Sequence, residues 1–134
     1  MKLKTIIIDD EPDAIISIEL LIKEFCPDLT VVGKANLIDD AWDLIKSLQP
    51  DLVFLDIEMP RGDGFDLLER FPIRKFDVIF ITAHSNLRDK AAKYESFCIL
   101  EKPVDIDVFQ QIVRNLVEYR KNNPGKLYKR LSGV

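Results

Sequence analysis

Leu52-Val53-Phe54-Leu55 is a run of four apolar residues that stops at a carboxylate, Asp56, and continues as Ile57-Glu58-Met59-Pro60. Unbroken apolar character, without alternation, is what a strand covered on both faces shows, and such strands belong to parallel sheets flanked by helices. Two other stretches have the same form. Ile6-Ile7-Ile8 runs into Asp9-Asp10, and Val78-Ile79-Phe80-Ile81 runs into Thr82. With the less uniform Thr30–Ala35 and Phe97–Leu100, they give five predicted strands, the others being Lys4–Ile8, Leu52–Leu55 and Val78–Ile81.

Segments of helical spacing separate them. Ala14, Ile15, Ile18, Leu20, Leu21, Ile22 and Phe25 mark the first helix, which opens at Glu11-Pro12 and closes before Pro27. Ile38, Ala41, Trp42, Ile45 and Leu48 mark the second, ended by Gln49-Pro50. Phe65, Leu67 and Leu68 start a short third, and Leu87, Ala91, Ala92 and Tyr94 a fourth. Val108, Ile112, Val113, Leu116 and Val117 mark a fifth, with Asp105 near its start. Strand and helix alternate five times, (βα)5, which predicts an α/β fold: a doubly wound five-stranded parallel sheet with right-handed crossovers. After Tyr119 the pattern stops, and residues 121–134 read as a linker or tail.

Composition narrows the function. A chain of 134 residues fits one domain, and 47% apolar with 31% charged residues is globular rather than disordered. No apolar run is long enough to cross a bilayer, and Asp9-Asp10 interrupts the N-terminal region too early for a signal peptide, so the expectation is a cytoplasmic protein with no membrane partner. A net charge of −4 argues against bulk nucleic-acid binding by this chain itself. Cys26 and Cys98 read as free, packed thiols, and with one histidine they make no usual zinc site.

The acidic residues fall just past strand ends. In an open parallel sheet, ligands bind beyond the carboxyl ends of the strands, where strand order reverses. If strands one and three are neighbours, Asp9, Asp10 and Asp56 share one crevice, with Thr82 and Lys102 on its rim. Crowded carboxylates raise one another's proton affinity, and a hard divalent cation relieves that. Oxygen donors plus water suit Mg²⁺. A carboxylate can attack phosphorus to form an acyl phosphate, with charge on the equatorial oxygens met by Mg²⁺, Lys102 and the Thr82 hydroxyl. Taken singly, Asp10 reads equally well as a helix cap, Thr82 as a loop hydroxyl and Lys102 as a surface lysine. The ordered combination is what points to a site.

These stretches resemble the receiver domain of two-component response regulators. The matching residues are Ile7-Ile8-Asp9-Asp10-Glu11-Pro12, Asp51–Pro60 with Gly64, Ile81-Thr82-Ala83, and Lys102-Pro103. The wording Asp56-Ile57-Glu58-Met59-Pro60 is similar to receivers that precede LytTR-type DNA-binding domains. The resemblance implies a flavodoxin-like strand order 2-1-3-4-5 and a receiver domain over residues 1–120. It implies Asp56 as phosphoacceptor, and Mg²⁺ held by Asp9, Asp10, Asp56 and the Glu58 backbone carbonyl. Thr82, Ala83 and Lys102 would bind the phosphoryl group and switch. Pro60, Gly64 and Pro103 would be structural, Gly64 for the turn into the third helix and Pro103 behind a cis peptide. Phosphoryl donors would be a sensor histidine kinase, a phosphotransfer protein or a small phosphodonor such as acetyl phosphate. The expected output is a changed surface of helix four, strand five and helix five, used for homodimerisation and transcriptional control. DNA would be reached only through a domain absent from this chain.

The sequence departs from the family pattern at Ile99, where an aromatic usually stands three residues before the lysine. Phe97 is expected on the same strand face as Ile99, and Glu101 is expected to pair with Lys102. His84, two residues after Thr82, reads either as a group tuning phosphoryl lifetime or as a solvated imidazole, and Trp42 reads as core. Two rival functions remain: a phosphohydrolase using Asp56 with Glu58 as acid/base, and a phosphorylation-independent interaction domain. The expectation is a switch rather than an enzyme, one that catalyses only its own phosphorylation and dephosphorylation; sustained turnover of a phosphatase substrate would favour the first rival.

Overall fold

The structure, a computed structural model, describes residues 2–59 and 62–128. Pro60 therefore lies outside the described residues. Five strands, β1 (Leu3–Ile8), β2 (Leu29–Ala35), β3 (Leu52–Asp56), β4 (Asp77–Thr82) and β5 (Cys98–Glu101), form one parallel sheet in the order β2-β1-β3-β4-β5. The helices are α1 (Pro12–Phe25), α2 (Ile38–Leu48), α3 (Gly64–Glu69), α4 (Arg88–Ala92), preceded by a short 3₁₀ turn, and α5 (Ile106–Asn122). This is the expected doubly wound α/β fold with flavodoxin-like order.

The unbroken apolar runs do what they predicted. Side chains alternate across the sheet into two cores. Ile6, Ile8, Val53, Leu55, Val78 and Phe80 meet α2 and α3 on one side. Ile7, Phe54, Ile79, Ile81 and Leu100 meet α1 and α5 on the other. Phe54 and Phe109 stack at 5.4 Å in the second core. Every residue of β3 and β4 is buried.

Helix ends follow local chemistry. Pro12 opens α1 after Glu11, whose side chain makes no cap hydrogen bond, so neither Asp10 nor Glu11 caps it. Gln49 ends α2 in the left-handed conformation, ahead of Pro50. Asp63 and Asp66 form a reciprocal capping box on α3, and Asp105 accepts a hydrogen bond from the Val108 amide to start α5. The helical stripes are narrower than the sequence spacing implied. Leu20 and Val108 point to solvent, while Phe109, unflagged by the spacing, is fully buried.

Polar groups staple the N-terminal pole of the sheet. Asp77, only 1% exposed, accepts from the Arg120 Nη1 at 2.8 Å and from the Tyr128 amide at 2.9 Å. Burial pushes the Asp77 carboxyl up from its ordinary range, while the Tyr128 amide and Arg120 pull against that shift. Arg120 also reaches Asp51 at 3.4 Å, and Asp51 accepts from the Lys4 amide at 2.8 Å. The chain beyond α5 turns back over this pole, with the Tyr128 ring packed edge-on against Phe97 (4.9 Å) and Tyr119 (5.5 Å).

Edge strands are irregular. The β1–β2 register shifts between Thr5 and Ile6, and β5 has four residues. Trp42 is half-buried at the flank of the first core rather than in it, with Lys46 Nζ 3.3 Å over its ring. Cys26 and Cys98 are free, and burial pushes the Cys26 thiol up to about 11. Among the described residues no helix is long and apolar enough to cross a membrane.

Candidate functional site: a carboxylate crevice

β1 and β3 are adjacent and in register from Thr5 against Leu52 to Ile8 against Leu55. Their ends therefore deliver the next residues, Asp9-Asp10 and Asp56, to one place. Carboxylate oxygens of Asp9, Asp10 and Asp56 all lie within 4.8 Å of one another. Asp9 and Asp56 are 3% and 4% exposed, so water cannot dissipate the repulsion. Burial, then the charge of Asp9, push the Asp56 carboxyl up to about 8, with Lys102 opposing.

Lys102 is the cation of the crevice. Its Nζ lies 2.9 Å from Asp9 and 3.8 Å from Asp56. Burial alone would lower its pKa, but the hydrogen bond to Asp9 and the charges of Asp56 and Asp9 outweigh this, and the net shift is upward. The Lys102 amide donates to the Thr82 carbonyl at 2.8 Å, and the Lys102-Pro103 peptide is cis. Asp9 is fixed from behind, its Oδ1 accepting from the Glu11 amide at 2.9 Å.

Thr82 ends β4 fully buried, its Oγ1 accepting from the His84 amide at 3.0 Å. Ala83 follows it, exposed at the rim. His84 Nε2 lies 3.1 Å from a Glu58 carboxylate oxygen, so side chains from the loops after β3 and β4 meet beside the crevice, both half in solvent. That pairing was not foreseen.

Gly64 is required for a reason other than the turn expected of it. A Cβ there would stand 2.7 Å from the Asp56 carbonyl oxygen and 2.9 Å from Leu55 Cγ. The missing side chain lets the start of α3 press against the end of β3, and the Gly64 amide donates to the Ile57 carbonyl at 2.8 Å. The left-handed glycine of this loop is Gly62, at φ +124°.

Two sequence expectations change around β5. Glu101 pairs with Arg88 of α4 at 2.8 Å and not with Lys102, whose ammonium is turned to Asp9. Ile99 packs toward the first core, whereas Phe97 packs with the second. The alternation that would put them together fails because β5 begins only at Cys98, and the Phe97 ring turns to Tyr128. The aromatic that does hold α4 is Tyr94. It stacks on Phe65 at 4.8 Å and donates to Glu69 at 2.6 Å, while Arg74 caps the carbonyls of Tyr94 and Glu95.

Three clustered hard oxygen donors facing one another in a buried crevice fit a small divalent cation better than they fit each other. Such a crevice at the carboxyl edge of a 2-1-3-4-5 sheet defines the class: a flavodoxin-like domain with an acidic centre. Residues 5–114 match the family model of the response regulator receiver domain, and the chain belongs to that family. It is 32% identical over 104 residues to the transcriptional regulatory protein BtsR of Escherichia coli (77% of this chain, 43% of that protein). It is 30% identical over 123 residues to the sensory transduction protein LytT of Bacillus subtilis (90% of this chain, 49% of that protein). The response regulatory domain of mrkE from Klebsiella pneumoniae superposes with a TM-score of 0.83 at 25% identity, covering 90% of this chain and all of that one. The chain spans about half the length of the curated relatives it matches.

Proposed function

We propose that Asp56 is the phosphoacceptor of a two-component switch, taking a phosphoryl group from a histidine kinase, a phosphotransfer protein or a small phosphodonor in a Mg²⁺-dependent reaction. The observation that carries this reading is the convergence of Asp9, Asp10, Asp56 and Lys102 within one buried crevice. Asp9, Asp10, Asp56 and the Glu58 backbone carbonyl would hold the ion. When bound, Mg²⁺ supplies positive charge that keeps Asp56 ionised and offsets charge on a phosphoryl oxygen.

The chain's own residues do the rest. An Asp56 carboxylate oxygen attacks phosphorus in line, and the bond to the donor nitrogen or oxygen breaks with its electron pair leaving on the donor. Lys102 moves from Asp9 toward a phosphoryl oxygen, and Thr82 donates its hydroxyl to another. Ala83 leaves the approach open because it adds only a methyl group. Pro60, Gly64 and Pro103 shape the loops. Drawing Thr82 and Lys102 inward shifts the ends of β4 and β5, and with them α4, a helix of five residues tied to its surroundings by contacts of Tyr94 and Arg88 among others.

The partner surfaces follow. Exposed Leu20 on α1 and Ile106 on α5 form an apolar flank beside Lys102 and Pro103, suited to a helical kinase or phosphotransfer partner. A kinase drawing on ATP places the protein in the cytoplasm. The α4–β5–α5 surface is the candidate homodimer face, with a transcriptional output through a DNA-binding domain beyond this chain. Glu58 leans on His84 rather than over Asp56, which disfavours a hydrolase acid/base role.

The test is incubation with acetyl phosphate and Mg²⁺, followed by intact-mass analysis. Gain of one phosphoryl group by the parent, lost in Asp56→Asn and on chelation, is the expected result. An unmodified parent, or an equally modified Asp56→Asn, overturns the proposal.

A further inference from the structure

Lys126–Tyr128 lies across the pole of the sheet opposite the crevice, anchored by β4, by α5 and by the residue just ahead of β5. Asp77 at the start of β4 accepts from the Tyr128 amide at 2.9 Å. Phe97, just ahead of β5, packs on the Tyr128 ring at 4.9 Å. Tyr119 of α5 packs on the other edge at 5.5 Å, and its hydroxyl donates to the Leu127 carbonyl at 3.0 Å. β4 and β5 are the strands whose far ends carry Thr82 and Lys102, and Tyr128 also lines the groove between α4 and β5 with Ile99 and Ala92.

A ligand that bridges several elements is complementary to one arrangement of them. Here the arrangement is the resting one, with Lys102 on Asp9 and the Thr82 hydroxyl engaged by the His84 amide. Relative movement of β4, β5 and α5 spoils at least one anchor. We propose that Lys126–Tyr128 is a strap, an internal ligand of the β4–β5–α5 pole, that is held in the resting state and released when Asp56 is phosphorylated. Release frees the chain after α5 and opens the lower end of the α4–β5 groove at the same moment. The inference rests on the reading of Asp56 as phosphoacceptor. By reciprocity, the strap opposes binding of a phosphoryl mimic by the same factor by which the mimic opposes the strap, so loss of the strap favours the mimic by at most that factor.

The test uses the full chain and beryllofluoride with Mg²⁺ as phosphoryl mimic. The Tyr128 amide is followed by hydrogen exchange, and Thr82 and Lys102 amides by nuclear magnetic resonance. Saturation is expected to shift Thr82 and Lys102 and to abolish protection of Tyr128. Tyr128→Ala should bind the mimic about fivefold more tightly, at the low end of such couplings. Tyr119→Phe, which removes only the hydroxyl on Leu127, should move the affinity in the same direction by less, and Tyr128→Phe, which keeps ring and amide, should stay near the parent. Shifted Thr82 and Lys102 with Tyr128 still protected, or an unchanged affinity in Tyr128→Ala, overturns the strap alone. No response at Thr82 and Lys102 overturns the phosphoacceptor reading and the strap with it.

Discussion

Replacing Asp56 by asparagine in metal-free protein should stabilise the fold. The carboxylate oxygens of Asp9, Asp10 and Asp56 lie within 4.8 Å of one another, and Lys102 Nζ is 3.8 Å from Asp56. At an effective dielectric constant of about 20, each like-charge contact at that separation costs about 3.5 kcal/mol, and Lys102 returns about 4 kcal/mol. The charge on Asp56 is then unfavourable by about 2–3 kcal/mol from Coulomb terms alone, before any desolvation. The sign with pH follows from its carboxyl being pushed up to about 8. Between the ordinary carboxylate range and pH 8 the folded chain holds a proton that the unfolded chain has lost, so stability falls as pH rises through this window and is flat above it. Asparagine removes that slope. Thermal unfolding in a chelator at pH 8.5 should therefore show Asp56→Asn melting higher by about 6–10 °C, with the gap closing toward pH 4. Saturating Mg²⁺ should raise the parent more than the variant. A variant that melts at or below the parent at pH 8.5 would refute the crowded-carboxylate account.

Three further outcomes are expected. Arg120→Ala strands Asp77, 1% exposed, as a buried carboxylate, and should cost about 3–5 kcal/mol in urea unfolding; a loss under 1 kcal/mol would show the pair to be idle. Gly64→Ala puts a methyl group 2.7 Å from the Asp56 carbonyl oxygen, so a loss of about 1–3 kcal/mol and slower uptake of phosphoryl from acetyl phosphate should appear together, measured by melting and by mass. Lys102→Ala removes the cation that competes for Asp9, so Mg²⁺ affinity should rise by calorimetry while phosphoryl uptake slows about tenfold or more.

What could be read without coordinates had a local signature. The runs Ile6–Ile8, Leu52–Leu55 and Val78–Ile81 are buried on both faces, so their apolar character is unbroken, and the polar residue that ends each one marks the functional edge. Asp9, Asp10, Asp56, Thr82 and Lys102 were therefore visible as a set. Asp77 and Arg120 were not: they are 43 residues apart, and each looks like an ordinary charged residue at the end of its element. Glu101 stands next to Lys102 in sequence, but Lys102 is turned to Asp9, and only the placement of α4 brings Arg88, 13 residues away, to Glu101. Phe97 was misplaced because side-chain alternation holds only inside a strand, and β5 starts one residue later.

The two outer strands constrain how copies of this domain can associate. A free strand edge offers main-chain donors and acceptors to any passing strand, which is the usual route to uncontrolled polymerisation. Here one margin, β2, carries an extra residue, Val32, opposite the step from Thr5 to Ile6, and the other, β5, is four residues long, ends at Glu101 and runs at once into Lys102 and the imino acid Pro103. Neither margin presents a straight template, so a dimer would have to be knit from side chains, and its strength could be set by substituting them one at a time.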